Sequence, residues 1–219
     1  MAATRKRVSR LLVAGFIVFS FIFIASLGLR PYPLSWIIKT IPIICLALWV
    51  LLNIKGKAGL LLGIGLICSG AGDILLELPV KGLFEAGMGA FILAHLFYIV
   101  LFIRHPGFSI IRVLLMATMA VSTLCFAYYL YPRLGSMMVP IYVYLCVILC
   151  MGLSACLGRD NHWLVILGAG LFILSDALIA YNMFATPISH SSFWVMSTYY
   201  GAQAMLTAGV ARSKGVRRV

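Results

Sequence analysis

The chain has 219 residues, of which 63% are apolar and only 10% charged. Soluble globular domains lie nearer half apolar and a quarter charged, so too few polar side chains remain here to cover a water-exposed surface. The 17 Lys and Arg against 5 Asp and Glu give a formal charge of +12. Most of the basic residues sit at the two ends and in short connections, with no folded soluble domain to present them, which excludes nucleic acid as a partner.

In chain order, the apolar runs predict helical spans at 11–29, 36–53, 58–78, 84–103, 109–131, 137–157, 163–184 and 191–211. Each is about the length that crosses a bilayer, roughly 20 residues. They are too long and too uniformly apolar for barrel strands. Arg5, Lys6, Arg7 and Arg10 precede the first run, which lacks a small-residue cleavage site and is expected to stay as a signal anchor. The separators are Arg30-Pro31-Tyr32-Pro33, Lys55-Gly56-Lys57, Pro79-Val80-Lys81-Gly82, Arg104-His105-Pro106-Gly107, Pro132-Arg133, Arg159-Asp160-Asn161-His162 and Pro187. Connections this short make neighbouring helices antiparallel. The expected fold is all-α: one polytopic bundle of eight transmembrane helices forming a single domain over 1–219.

Counting Lys and Arg by side places 13 on the face that holds both termini and 3 (Arg30, Lys81, Arg133) on the other, with Lys39 just inside a span. The positive-inside rule then puts both termini in the cytosol, which requires an even number of spans. The terminal clusters, including Arg212, Lys214, Arg217 and Arg218, suit anionic membrane lipid. An internal echo joins Leu62-Gly-Ile-Gly-Leu66 to Leu167-Gly-Ala-Gly-Leu171 four spans later, each followed by an aspartate, as a 4+4 parallel repeat would give. The aspartate offsets differ by two residues.

All six cysteines (Cys45, Cys68, Cys125, Cys146, Cys150, Cys156) lie in apolar runs and form no Cys-x-x-Cys pair. Neither a disulfide framework nor a structural zinc site is implied.

Of the five acids, Asp160 is in a loop and Glu85 near the start of the fourth span, whereas Asp73 and Asp176 lie inside the third and seventh. A carboxyl inside a bilayer is costly, faces the bundle interior, and usually marks a functional site. The alternative is a protonated Asp bonding across helices. Gly63, Gly65, Ser69, Gly70 and Gly72 flank one acid and Gly168, Gly170 and Ser175 the other, and small residues let helices approach closely. At about 1.5 Å per residue both acids fall at similar depths in the outer half of the membrane. His95, Asn182, Tyr199 and Tyr200 lie at neighbouring levels, Gln203 one turn deeper, and Lys39 nearest the surface. Together they predict one polar pocket opening toward the lumen, with Glu77 at its mouth. Lys39 reads equally as a snorkelling lysine, Tyr199 and Tyr200 as packing aromatics, and His95 as a core histidine. His105, His162 and His190 fall in loops or at span ends, which disfavours a three-histidine zinc hydrolase. No Gly-x-Ser-x-Gly elbow suggests a serine hydrolase.

Ser-Gly-Ala-Gly-Asp-Ile-Leu-Leu (69–76), Gly-Met-Gly-Ala-Phe-Ile-Leu-Ala-His-Leu-Phe-Tyr (87–98), Leu-Ser-Asp-Ala-Leu-Ile-Ala-Tyr-Asn (174–182) and Met-Ser-Thr-Tyr-Tyr-Gly-Ala-Gln (196–203) resemble the YhhN-like, transmembrane protein 86 family of lysoplasmalogenases. Pro-Leu-Ser-Trp-Ile-Ile-Lys-Thr-Ile-Pro (33–42) is similar to its vertebrate members. The resemblance covers nearly the whole chain and rests on four short motifs in order. It implies hydrolysis of the vinyl ether of lysoplasmalogens to a fatty aldehyde and glycerophosphoethanolamine or glycerophosphocholine. The family's motif aspartates map onto Asp73 and Asp176, whereas Glu77 and Glu85 do not match its pattern. An endoplasmic reticulum membrane is implied by the family and its lipid substrate alone.

Vinyl ethers hydrolyse by protonation of the β carbon and capture of the resulting oxocarbenium ion by water. That chemistry needs an acid protonated at neutral pH and a carboxylate that stabilises the cation or activates water. Two nearby buried carboxyls divide those roles without a metal or cofactor. Asp73 and Asp176 are the expected pair. Tyr199, Tyr200 and Gln203 would orient water or glycerol oxygens, and Lys39 and His95 would hold the phosphate or complete the hydrogen-bond network. The partners would be the lysophospholipid and membrane lipids, with a homodimer allowed. The alternative from another class is a proton-coupled transporter of small molecules or lipids that relays protons through the same aspartates; a third is a noncatalytic lipid-binding scaffold.

Overall fold

The computed structural model describes residues 2–30, 32–78, 80 and 82–216. Pro31, Pro79, Lys81, Arg217 and Arg218, used above for connections and charge, lie outside the described residues. Eight long helices occur among those described: α1 (Ala2–Ala25), α2 (Ser35–Asn53), α3 (Gly56–Glu77), α4 (Leu83–Phe102), α5 (Ile110–Leu130), α6 (Met138–Leu157), α7 (Trp163–Phe184) and α8 (Ser191–Arg212). Seven of the predicted spans match a helix to within about two residues at each end. The exception is α1, which begins nine residues early, because the basic segment before the apolar run is itself helical.

Helices α1–α7 are long and apolar enough to cross a membrane, and α8 is not. The difference from the eight expected spans is one of composition. Tyr199, Tyr200, Gln203 and Thr207 lower the hydropathy of α8, yet all four are buried within the protein. The outward apolar residues of α1 behave oppositely, with Leu11, Ile17 and Phe21 at 62%, 59% and 72% exposure. In a bilayer such residues face lipid.

By its contacts the chain divides into two compact units, one running to Phe97 and the other from Tyr98 to Lys214. In the first, α2 and α3 form an antiparallel hairpin whose turn is closed by Gly59. A Cβ there would lie 2.1 Å from the Ile54 carbonyl oxygen. Further along, Gly63 accepts the Leu51 side chain and Gly70 meets Thr40 and Ile43.

In the second unit α7 and α8 approach backbone to backbone. A Cβ on Gly168 would sit 2.9 Å from the Leu206 amide nitrogen, and one on Gly209 only 2.6 Å from that of Val165. The end of α6 is tied down by the Arg112 guanidinium, which donates to the carbonyls of Cys156 (2.9 Å), Gly158 (2.8 Å) and Asn161 (2.9 Å). It also lies over the Trp163 ring at 5.2 Å. The last carbonyls of a helix have no partner within it, and here a side chain of α5 supplies one. Asn161 adds bonds from its Nδ2 to Phe102 and Ala155.

Candidate functional site

In the first unit the polar residues of α2 and α3 fall on facing surfaces at helical spacing. Ser35 and Lys39 are one turn apart on α2, and Asp73 and Glu77 one turn apart on α3; residues four apart share a helix face. Lys39 Nζ lies 3.4 Å from Glu77 Oε2 and 3.8 Å from Asp73 Oδ1, and donates to the Asp73 carbonyl at 3.3 Å. Glu77 Oε1 takes the Ser35 hydroxyl at 2.9 Å and the Arg30 guanidinium at 2.7 Å. The Arg30 guanidinium is also 5.9 Å from the centre of the Phe23 ring. Two cations and two carboxylates thus form a connected ion network, all but Arg30 buried. Its position at the C-terminal end of α3 suits the cations, because the helix dipole is negative there.

Lys39 therefore turns inward to the acids instead of snorkelling outward. Glu77, which the resemblance left outside the motif, is the hub of the network. His95 is fully buried on α4, and Glu85 is exposed. Ser69, one turn below Asp73, is fully buried with no hydrogen-bond partner for its Oγ among the described residues.

In the second unit Asp176 of α7 accepts a hydrogen bond at Oδ2 from the hydroxyl of Tyr144, a buried residue of α6. Tyr199 meets Phe172 edge-on, with ring centroids 5.5 Å apart, and leans on Tyr200 at 5.6 Å. Gln203 receives the Tyr98 hydroxyl at Oε1, 3.1 Å away. Asn182 Oδ1 accepts from the Ile188 amide at 2.9 Å, which fixes the turn between α7 and α8. The loop histidines have local partners: His105 Nδ1 lies 3.8 Å from Asp160 Oδ2, and His162 Nδ1 caps α7 by accepting from the Leu164 amide. No group of three or more His, Cys, Asp or Glu placed to hold a metal ion occurs among the described residues.

Sequence reasoning missed Arg30, Ser35, Tyr98 and Tyr144. A signal existed for Ser35, which pairs with Lys39 at the same four-residue spacing that relates Asp73 to Glu77. Tyr144 carried none, being one of 10 tyrosines in the chain.

Fold and site together define a multi-pass, all-helical membrane protein with a carboxyl-centred polar cluster inside its helices. The chain belongs to the YhhN family, whose model matches residues 34–210. Human lysoplasmalogenase TMEM86B is 35% identical over 189 residues, covering 82% of this chain and 78% of its own. Human lysoplasmalogenase TMEM86A is 35% identical over 200 residues, covering 84% and 81%. A lysoplasmalogenase of Mycobacterium bovis is 30% identical over 150 residues, covering 66% and 58%. No solved structure matches the chain.

Proposed function

We propose that this protein is a lysoplasmalogenase. It hydrolyses the vinyl ether of alkenyl-glycerophosphoethanolamine or alkenyl-glycerophosphocholine, releasing a fatty aldehyde and the glycerophospho-alcohol. The observation that carries this is the human relatives named lysoplasmalogenase, matched over about four fifths of both chains.

Asp73 and Asp176 share the acid and base roles. Support comes from the ionic setting of Asp73 beside Lys39 and from the Tyr144 hydroxyl on Asp176. Lys39 and His95 serve the phosphate or the hydrogen-bond network, Glu77 fixes Lys39, and Asn182, Tyr199, Tyr200 and Gln203 contribute to substrate binding. Neither metal nor cofactor takes part. The membrane is that of the endoplasmic reticulum, crossed eight times with both termini cytosolic. The chain is one domain built as a 4+4 repeat, a reading that rests on the echo of Leu62-Gly-Ile-Gly-Leu66 in Leu167-Gly-Ala-Gly-Leu171.

The test is aldehyde release by purified protein from a lysoplasmalogen and from the saturated lyso-ether lipid of the same chain length. Aldehyde from the vinyl ether alone is the expected result. Its absence from well-folded protein would contradict the proposal and favour pH-driven transport through the same acids.

A further inference from the structure

Hydroxyls inside helices commonly return a hydrogen bond to a carbonyl three or four residues back. In this chain Thr40, Thr118, Ser122, Ser154 and Thr198 do so. Ser20, Ser69, Thr123 and Thr207 do not among the described residues, and of these Ser69, mid-helix in α3 with 0% of its surface exposed, is the one four residues from Asp73. A buried polar atom without a partner is costly, so such a hydroxyl implies a ligand that the chain itself does not supply.

The position of Ser69 says what that ligand is. Ser69, Asp73 and Glu77 recur every four residues and stack along one face of α3, the face on which the two acids meet Lys39. Residues four apart have Cβ atoms about 5–6 Å apart, a gap that one water oxygen spans with two hydrogen bonds. The neighbouring helix is close at this level: a Cβ on Gly70 would lie 3.3 Å from the Thr40 and 3.7 Å from the Ile43 side chain of α2.

We propose that Ser69 Oγ and the Asp73 carboxylate hold a single water molecule, and that this water captures the oxocarbenium ion. The role rests on the proposed lysoplasmalogenase activity. Once the β carbon has been protonated, the water oxygen forms a bond to the cationic carbon and the π pair returns to the ether oxygen. One water proton passes to Asp73, while Ser69 Oγ accepts the other O–H and so aims the oxygen lone pair. The hemiacetal then breaks its bond to the glycerol oxygen, which takes up the proton held by Asp73, while the hemiacetal hydroxyl returns its proton to the acid that protonated the β carbon and the carbon leaves as the aldehyde. Ser69 is thus a positioning residue for the nucleophile.

The experiment compares wild type, Ser69→Ala and Ser69→Thr in D2O, following aldehyde release and the isotopic content of unreacted lysoplasmalogen. Alanine removes the hydroxyl and favours the helix, and threonine keeps the hydroxyl. In Ser69→Ala the expected results are a fall in kcat of at least about tenfold with KM unchanged, and deuterium at the β vinyl carbon of recovered substrate. The label arises because an uncaptured cation returns to vinyl ether by losing the original hydrogen. Ser69→Thr should restore kcat and suppress the label, and wild type should leave the substrate unlabelled. A Ser69→Ala protein with wild-type kcat, or one slowed without labelling, would overturn the water site while leaving the enzyme reading intact. A wild type that releases no aldehyde would remove both.

Discussion

At the scale of single residues, the most constrained feature is Lys39, an ammonium within reach of two carboxylates and almost withdrawn from solvent. A buried ion pair adds little over an apolar equivalent, but removing one partner strands the others. Lys39→Met should therefore destabilise the protein by about 3–5 kcal/mol, read as the thermal midpoint in detergent. Adding Asp73→Asn to it should recover part of the loss, because Glu77 keeps the Arg30 guanidinium at 2.7 Å whereas the Asp73 carboxylate has lost the ammonium beside it. Equal stability of Lys39→Met and wild type would show that the network is not formed. The sequence already contained this cluster as two four-residue pairs, Ser35 with Lys39 and Asp73 with Glu77. Arg30 was hidden because a charge beside prolines reads as a loop residue, and its contact with Glu77 depends on how the chain enters α2.

At the scale of elements, helix boundaries were readable because each apolar run is interrupted by charge, Gly or Pro. What could not be read is which glycines serve packing. Gly209 and Gly89 look alike in sequence, both lying inside apolar helical runs, yet a Cβ at Gly209 would meet the Val165 backbone nitrogen at 2.6 Å and one at Gly89 would meet nothing within 4 Å. Gly209→Ala should cost about 1–3 kcal/mol by forcing α7 and α8 apart. Gly89→Ala should be neutral or stabilising by up to about 1 kcal/mol, since alanine favours a helix over glycine. Thermal midpoints of the two variants check this, and equal shifts would contradict the close approach of α7 and α8. Arg112 teaches the same lesson: positive-inside counting takes it as one unit of charge, whereas it donates to four backbone carbonyls at and just beyond the end of α6.

For the molecule as a whole, composition alone sufficed to place it in a membrane, and the eight apolar runs gave its eight helices, of which α1–α7 are long and apolar enough to cross. The helix α8, read as a span over 191–211, falls below the others in hydropathy because several of its central residues are polar. Among them Tyr199, Tyr200, Gln203 and Thr207 are buried, with Gln203 receiving the Tyr98 hydroxyl and Tyr199 meeting Phe172. Polarity also makes function readable, since carboxyls inside the helices of an otherwise apolar chain have few structural uses; Asp73 is buried and Asp176 half-buried. Physical reasoning selected Asp73 and Asp176; it did not select the vinyl ether, which came from motif resemblance and from the relatives' names.

The central claim is that these two carboxyls carry the hydrolysis. The measurement that tests it most directly is the rate of fatty-aldehyde release from a lysoplasmalogen by wild type, Asp73→Asn and Asp176→Asn, each matched for folded protein by its thermal transition. Loss of a positioned acid or base typically costs about 10²–10⁴-fold in rate, so both variants should fall by at least about a hundredfold. Wild-type turnover in either folded variant would contradict the account.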